Sequence, residues 1–235
     1  MTVTEIMAEL KSFGSESIKK ILLKHGVKEP FFGVKVEHLK TILKKTKTDY
    51  QLALDLYATG NADAMYLAGL MADDKKMTKA DLQTWAKQAV SQNISEYTVP
   101  WVAAGSNYGY ELAMEWINSP EEHIAAAGWS TFSNLAALKS DDELDLPGLK
   151  SLMARVAKTI HQADNRVRST MNGFIISTGA YVTPLTEYAM STAHEIGAVT
   201  IDTGDTACKV PDAADYIVKT RARNNPVKKK KTVKC

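Results

Sequence analysis

Three segments of this chain, opening at Thr78, Ser119 and Asp164, each start an apolar-periodic helix, and their spacings of 41 and 45 residues fall in the range of helical-hairpin repeats. A helical hairpin cannot bury its apolar face alone, so such units stack and leave one surface for binding. The similarity lies in pattern and not in residues, and an irregular helical bundle shares the same periodicity. Either way the chain reads as all-α. Ser119-Pro120-Glu121-Glu122 combines an N-cap hydroxyl, a proline at the first helical position and a glutamate able to complete a capping box. Thr78-Lys79-Ala80-Asp81 and Thr183-Pro184 give similar starts, and Gly60, Gly105 and Gly197 stand where helices end. Leu149, Leu152, Met153, Val156 and Ile160 repeat at helical spacing, as do Val36, Leu39, Ile42 and Leu43, so each helix has one buried stripe. One stretch departs from the pattern. Ala198 to Asp202 alternates like a strand, Thr203-Gly204-Asp205 reads as a turn, and Thr206 to Val210 could return as its partner. A small hairpin or extended segment near 198–210 is expected before a last helix beginning near Pro211, either covering the end of the array or presenting Lys209 to a ligand.

Charge is distributed unevenly. The net charge is +2, yet residues 220–235 hold seven basic side chains, Arg221, Arg223, Lys228, Lys229, Lys230, Lys231 and Lys234, and no acid. The remainder, with 22 basic and 27 acidic residues, is acidic. A localised contact with a polyanion follows from this pattern, the alternative being a solvated tail that only aids solubility. The division expected is a repeat domain over 1–225 and a flexible basic tail over 226–235. Lys35, Lys40, Lys44, Lys45 and Lys47 lie off the apolar face of one helix, and Lys150, Arg155 and Lys158 off another.

Other classes are disfavoured. No apolar run has membrane-spanning length and the start MTVTEIMAELK has no signal-peptide pattern, so an intracellular, cytoplasmic protein without a membrane partner is expected. Cys208 and Cys235 read as reduced thiols, and neither has a second ligand at metal-binding spacing. The five histidines are scattered, and no GxGxxG, HExxH or kinase signature occurs, so no metal or cofactor is expected. Aromatic residues concentrate mid-chain at Tyr97, Trp101, Tyr108, Tyr110, Trp116 and Trp129. Trp116 and Trp129 read as core; Tyr97 and Trp101 sit at i and i+4 on one helix face around Pro100, where they read equally as core or as a stacking platform.

Phe32-Gly33-Val34-Lys35-Val36-Glu37-His38-Leu39-Lys40, then Gly60-Asn61-Ala62-Asp63-Ala64-Met65-Tyr66-Leu67-Ala68-Gly69-Leu70, and finally Asp202 to Pro211 with the lysine run after it, together resemble the AlkD-type DNA alkylation repair glycosylases. The resemblance covers essentially the whole chain. It implies a HEAT-like helical-repeat solenoid, a curved α-α superhelix whose concave, basic face grips DNA. It also implies excision of purines carrying positive charge from alkylation at N3 or N7. In that chemistry a carboxylate stabilises the oxocarbenium-like sugar and positions water, because a fixed anion stabilises developing positive charge more than it does the neutral ground state.

This sequence departs from the family's catalytic pattern residue by residue. The tryptophan-carboxylate segment falls on Tyr97-Thr98-Val99-Pro100-Trp101, which places Trp101 at the catalytic carboxylate. The arginine pair falls on Ala125-Ala126, and a third-helix tryptophan on about Gly173, with Arg168 still basic and Phe174 adjacent. An indole can stack on a base but cannot supply negative charge or activate water. Glu96, Glu111 and Glu115 are the acids that could substitute. The expectation is therefore a monomer that binds damaged, distorted or branched DNA through largely sequence-independent backbone contacts, with Tyr97, Trp101, Arg168, Lys35, Lys209, Arg221, Arg223, Lys228, Lys229, Lys230 and Lys231 as contact residues. The alternatives are an active glycosylase with a rearranged site and a helical-repeat scaffold for another protein.

Overall fold

Side-chain caps fix about half of the α-helix starts among the described residues. In the computed structural model, which describes every residue except Asp205 and Ala207, the Thr78 hydroxyl accepts the Asp81 N–H and the Asp81 carboxylate accepts the Thr78 N–H. This capping box starts the helix Lys79–Gln88 where the sequence predicts it. Asp49, Asn61, Asp145 and Asp212 likewise accept backbone N–H groups at the starts of their helices. Ser119 behaves differently. Its hydroxyl accepts the Glu121 N–H, but the helix begins only at Glu122, whose carboxylate accepts the Arg166 N–H at 2.7 Å and so caps a different helix.

The order is α1 (Val3–Ser12), α2 (Glu16–Lys24), α3 (Val36–Thr46), α4 (Tyr50–Tyr57), α5 (Ala62–Met71), α6 (Lys79–Gln88), a π turn (Ile94–Thr98), α7 (Val99–Gly105), α8 (Gly109–Trp116), α9 (Glu122–Leu138), α10 (Leu146–Thr159), α11 (Asn165–Tyr181), α12 (Thr186–Ile196) and α13 (Ala213–Arg223). No strand occurs among the described residues, and none of their helices is long and apolar enough to cross a membrane.

These elements fall into two compact units. The first holds residues 1–108 with Gly204, Thr206, Lys234 and Cys235. Its centre is α5, buried along nearly its whole circumference as a helix apolar on every side must be, with α3, α4, α7 and the π turn packed on it. Asp63 ties the two N-terminal motifs together: its carboxylate accepts N–H groups from Phe32, Gly33 and Val34 at 2.6, 3.0 and 3.2 Å. Gly33 has φ +78°, and a Cβ there would lie 2.6 Å from the Ser15 carbonyl oxygen, so this turn requires glycine.

The second unit holds residues 109–203 and 208–233. Its long central helices α9 and α11 pack along each other through Trp129, Phe132 and Phe174, with Trp129 and Phe174 ring centroids 5.3 Å apart. Leu149, Leu152, Met153, Val156 and Ile160 are all buried, as their spacing predicts.

Of the two forms expected near 198–210, a hairpin or an extended segment, Ala198–Asp202 does not form the hairpin's strand and runs as a segment without regular structure. The backbone there is bonded by side chains of α11 in place of a partner strand. Arg168 Nη1 donates to Thr200 O at 2.9 Å, while Asn165 Nδ2 donates to Asp202 O and its Oδ1 accepts the Asp202 N–H at 2.8 and 2.7 Å. The turn and return strand expected over 203–210 include Asp205 and Ala207, which lie outside the described residues. The last helix starts at Ala213, two residues beyond Pro211.

Candidate nucleic-acid interface

Pro100 shapes the segment on which the resemblance places the catalytic carboxylate. It has no N–H to donate to the Glu96 carbonyl, and its ring crowds that carbonyl, so the chain before it cannot continue as a regular α-helix. It widens into the π turn Ile94–Thr98, a local form that recurs at functional sites. Gly69 of α5 meets this turn so closely that a Cβ there would overlap the Thr98 methyl.

The consequence is a sharp division within the aromatic pair. Tyr97 is 51% exposed, whereas Trp101 is 6% exposed. Trp101 lies edge-on to Tyr66 with centroids 5.2 Å apart, and Tyr97 is tilted against it at 6.2 Å. The two rings are neighbours, as i and i+4 spacing requires, but the indole expected on a stacking platform is part of the core, because the proline-driven turn directs it at α5. Burial raises the Tyr66 phenol well above the usual tyrosine range, and its hydrogen bond to Cys235 acts in the same direction.

Beside this cluster, Lys234 Nζ pairs with Asp74 Oδ1 at 2.6 Å and donates to the carbonyl of Ala72, the C-cap of α5, at 2.9 Å. Burial holds the Asp74 carboxyl above the usual carboxylate range against the pull of Lys234. Gly105, one turn beyond Trp101, leaves room for that carboxylate, which a Cβ would overlap. Sequence reasoning assigned no role to Tyr66 or Asp74. Tyr66 lies in a helix that reads as uniform core, and nothing local connects Asp74 with a lysine 160 residues away.

In the second unit several expected DNA contacts have intramolecular partners. Arg168 Nη2 donates to Ala163 O at 3.0 Å while Nη1 holds Thr200, so this side chain fastens the 198–203 segment to α11. Arg221 Nη1 donates to Thr186 Oγ1 at 2.8 Å and to Gly179 O, which fixes α13 in place. Within the segment 226–235, Lys229 Nζ donates to Ala136 O in the last turn of α9 at 2.9 Å and pairs with Asp141 at 2.8 Å. Lys230 donates its N–H to Ala137 O at 2.8 Å, and its ammonium lies 5.4 Å from the Tyr181 ring centroid. These contacts satisfy carbonyls that a helix end leaves open, with positive charge at the negative end of the dipole. Lys35, Lys209, Arg223, Lys228, Lys230 and Lys231 are exposed.

The other departures from the glycosylase pattern are equally concrete. Ala125 and Ala126 are buried at 5% and 0% exposure, inside a helix packed where no arginine pair would fit without displacement. Gly173 faces open space, with no atom within 4 Å of a built Cβ. Of the acids considered as substitutes, Glu96 is 8% exposed within the π turn, while Glu111 and Glu115 are exposed on α8.

Comparison with known proteins gives a consistent result. The family model described as DNA alkylation repair enzyme matches residues 6–216. The uncharacterized protein Lin0241 of Listeria innocua serovar 6a is 31% identical over 231 residues, covering 96% of this chain and 100% of that protein. Lmo0209 of Listeria monocytogenes serovar 1/2a, also uncharacterized, is 32% identical over 229 residues, covering 95% and 99%. A solved structure described as "a new family of proteins related to the HEAT-like repeat DNA glycosylases with affinity for branched DNA structures" is similar at a TM-score of 0.91, with 35% identity and 100% coverage of both chains. With the family matched over most of the chain and the HEAT-like fold matched over all of it, the chain belongs to the DNA alkylation repair enzyme family.

Proposed function

We propose that this protein binds DNA with preference for branched structures, chiefly through backbone phosphates and without glycosylase chemistry, residues 1–225 forming the binding domain and the basic segment 226–235 adding phosphate contacts. The observation that carries this reading is the full-length similarity to a solved protein described as having affinity for branched DNA. The chemistry around Trp101 supports the second half of it. A buried indole at the position of the family's carboxylate supplies no charge to an oxocarbenium-like sugar and no base for water. Function belongs to the site and not to the fold, so membership of a glycosylase family does not bring the activity with it. The contact residues in this reading are the exposed ones, Lys35, Tyr97, Lys209, Arg223, Lys228, Lys230 and Lys231. Arg168, Arg221, Lys229 and Trp101 act on the protein's own structure.

Fluorescence anisotropy with plain duplex, nicked duplex and three-way junctions across a salt series tests the binding. The expected order has the junction tightest, with affinity falling steeply with salt as counterions are released. No binding to any of these at low salt overturns the reading. Release of 7-methylguanine from alkylated duplex above the spontaneous rate overturns its non-catalytic half.

A further inference from the structure

Helix α13 has two faces of different character. Ala213, Ala214 and Ile217 are buried, with Arg221 as an anchor on the same side. The helix sits so close to α11 that a Cβ on Gly179 would lie 2.6 Å from Ile217 Cδ1. On the opposite side, Tyr216, Lys219 and Arg223 fall within an arc of about 60° at 100° per residue. Tyr216 is 50% exposed, and the Lys219 side chain is 66% exposed, 4.0 Å from Asp215 in an ion pair that solvent readily replaces. Arg223 is exposed at the C-terminal end of the stripe. Just beyond it the chain is folded back by the Asn224 side chain, which bonds both the N–H and the carbonyl of Lys228 at 3.1 and 2.9 Å. The acids of this helix, Asp212 and Asp215, lie at its N-terminal end, where Asp212 serves as N-cap.

We propose that the outward stripe of α13, Tyr216, Lys219 and Arg223, together with the exposed Lys228 just beyond the helix, is a DNA contact surface. The three cations hold phosphates, and the Tyr216 ring stacks on an unpaired base at a branch point. The proposal rests on the DNA-binding reading above, which names Arg223 and Lys228, and adds Tyr216 and Lys219 with a base-stacking role. Folding does not account for the stripe: none of the four side chains is buried, and the helix is fixed by its other face. The occupant follows from charge and ring together. Two cations one helical turn apart, with a third exposed beyond the helix end, match a polyanion, and a half-exposed phenol ring is the platform a base needs once it has left its own stack. Duplex bases are stacked on each other and a branch supplies unstacked ones, so Tyr216 contributes to structure preference while the cations contribute to affinity for any DNA. Because the helix is already fixed by Arg221 and the Gly179 contact, binding needs little ordering beyond the side chains themselves.

The test uses the full-length protein, three variants (Tyr216→Ala, Tyr216→Phe, and Lys219→Gln/Arg223→Gln/Lys228→Gln) and a three-way junction with 2-aminopurine at the branch. Circular dichroism melting confirms that each variant is folded. Tyr216→Ala is expected to weaken junction binding about five- to hundred-fold, with a smaller effect on plain duplex and loss of 2-aminopurine quenching, whereas Tyr216→Phe keeps the ring and both properties. The triple variant is expected to reduce the slope of log K against log salt by about 2 to 3 on both DNAs. If the wild type binds the junction and these folded variants bind it with unchanged affinity and slope, the α13 surface is overturned while the DNA-binding reading stands. If the wild type binds no DNA, both are overturned.

Discussion

Gly69 marks the closest approach of α5 to the π turn, and the side chain it lacks is what lets the turn lie there. Gly69→Ala introduces a Cβ that overlaps the Thr98 methyl and is expected to cost about 1–3 kcal/mol, the usual range for overpacking a filled interior. Thr98→Ser removes that methyl. A double-mutant cycle followed by urea unfolding should therefore show the serine recovering part of the loss, and additive behaviour would mean that the contact does not hold the turn. The same residue scale shows what a sequence discloses and what it withholds. The two motifs containing Phe32-Gly33-Val34 and Asp63 are visible as segments of a resembling family, but the reason they occur together is not. Asp63 accepts three N–H groups from residues about 30 positions earlier, a pairing that no local pattern expresses. Trp101 posed the same problem: an indole one turn from a tyrosine reads equally as platform or core, and Pro100, acting through the turn it widens, decides for the core.

Helices were legible where one stripe and one cap act within the same element. The α10 stripe and the Thr78 capping box are such cases. Boundaries shifted where a cap residue serves a neighbour: Glu122 bonds the first turn of α11, so α9 starts later than Ser119 implies. One capping box was written in the sequence and passed unread. The Ser140 hydroxyl donates to the Glu143 carboxylate at 2.6 Å and the Ser140 N–H donates to it at 3.2 Å. These bonds, with Lys139 adjacent, hold the Glu143 carboxyl down to about 2 from the usual 4.5. A carboxyl lowered on folding contributes stability that is complete above its unfolded value. The contribution is lost as pH falls from about 4.5 toward about 2. Carboxyl-detected NMR titration should place the Glu143 midpoint near the lower figure in the wild type. Ser140→Ala should move it back toward the ordinary value, and a midpoint unchanged by that substitution would exclude the serine as the cause.

For the whole molecule the informative quantity is where the positive charge goes. Composition indicates a strongly basic C-terminal segment but cannot say which ammonium groups already have partners, because those partners are carbonyls and carboxylates distant in sequence. Lys229 and Lys234 each combine a helix-terminal carbonyl with an aspartate, whereas Lys228 and Lys231 are exposed. Lys229→Gln/Lys234→Gln is therefore expected to lower stability by about 1 kcal/mol per site, within the range for charges at helix ends, and to leave the salt dependence of DNA binding nearly unchanged. Lys228→Gln/Lys231→Gln should do the reverse, losing salt dependence without loss of thermal stability. Thermal melts and anisotropy on the wild type and the two double variants separate the two, and equal effects of both pairs on DNA binding would refute the division. Trp101 has a consequence for any attempt to install chemistry at its position. Placing a carboxylate there removes a large core ring, about 3–5 kcal/mol in comparable truncations, and leaves a charge in the apolar space beside Tyr66. Total stabilities of about 5–15 kcal/mol leave little room for such a step, so a carboxylate cannot be placed at this position by one substitution without endangering the fold that would have to hold it.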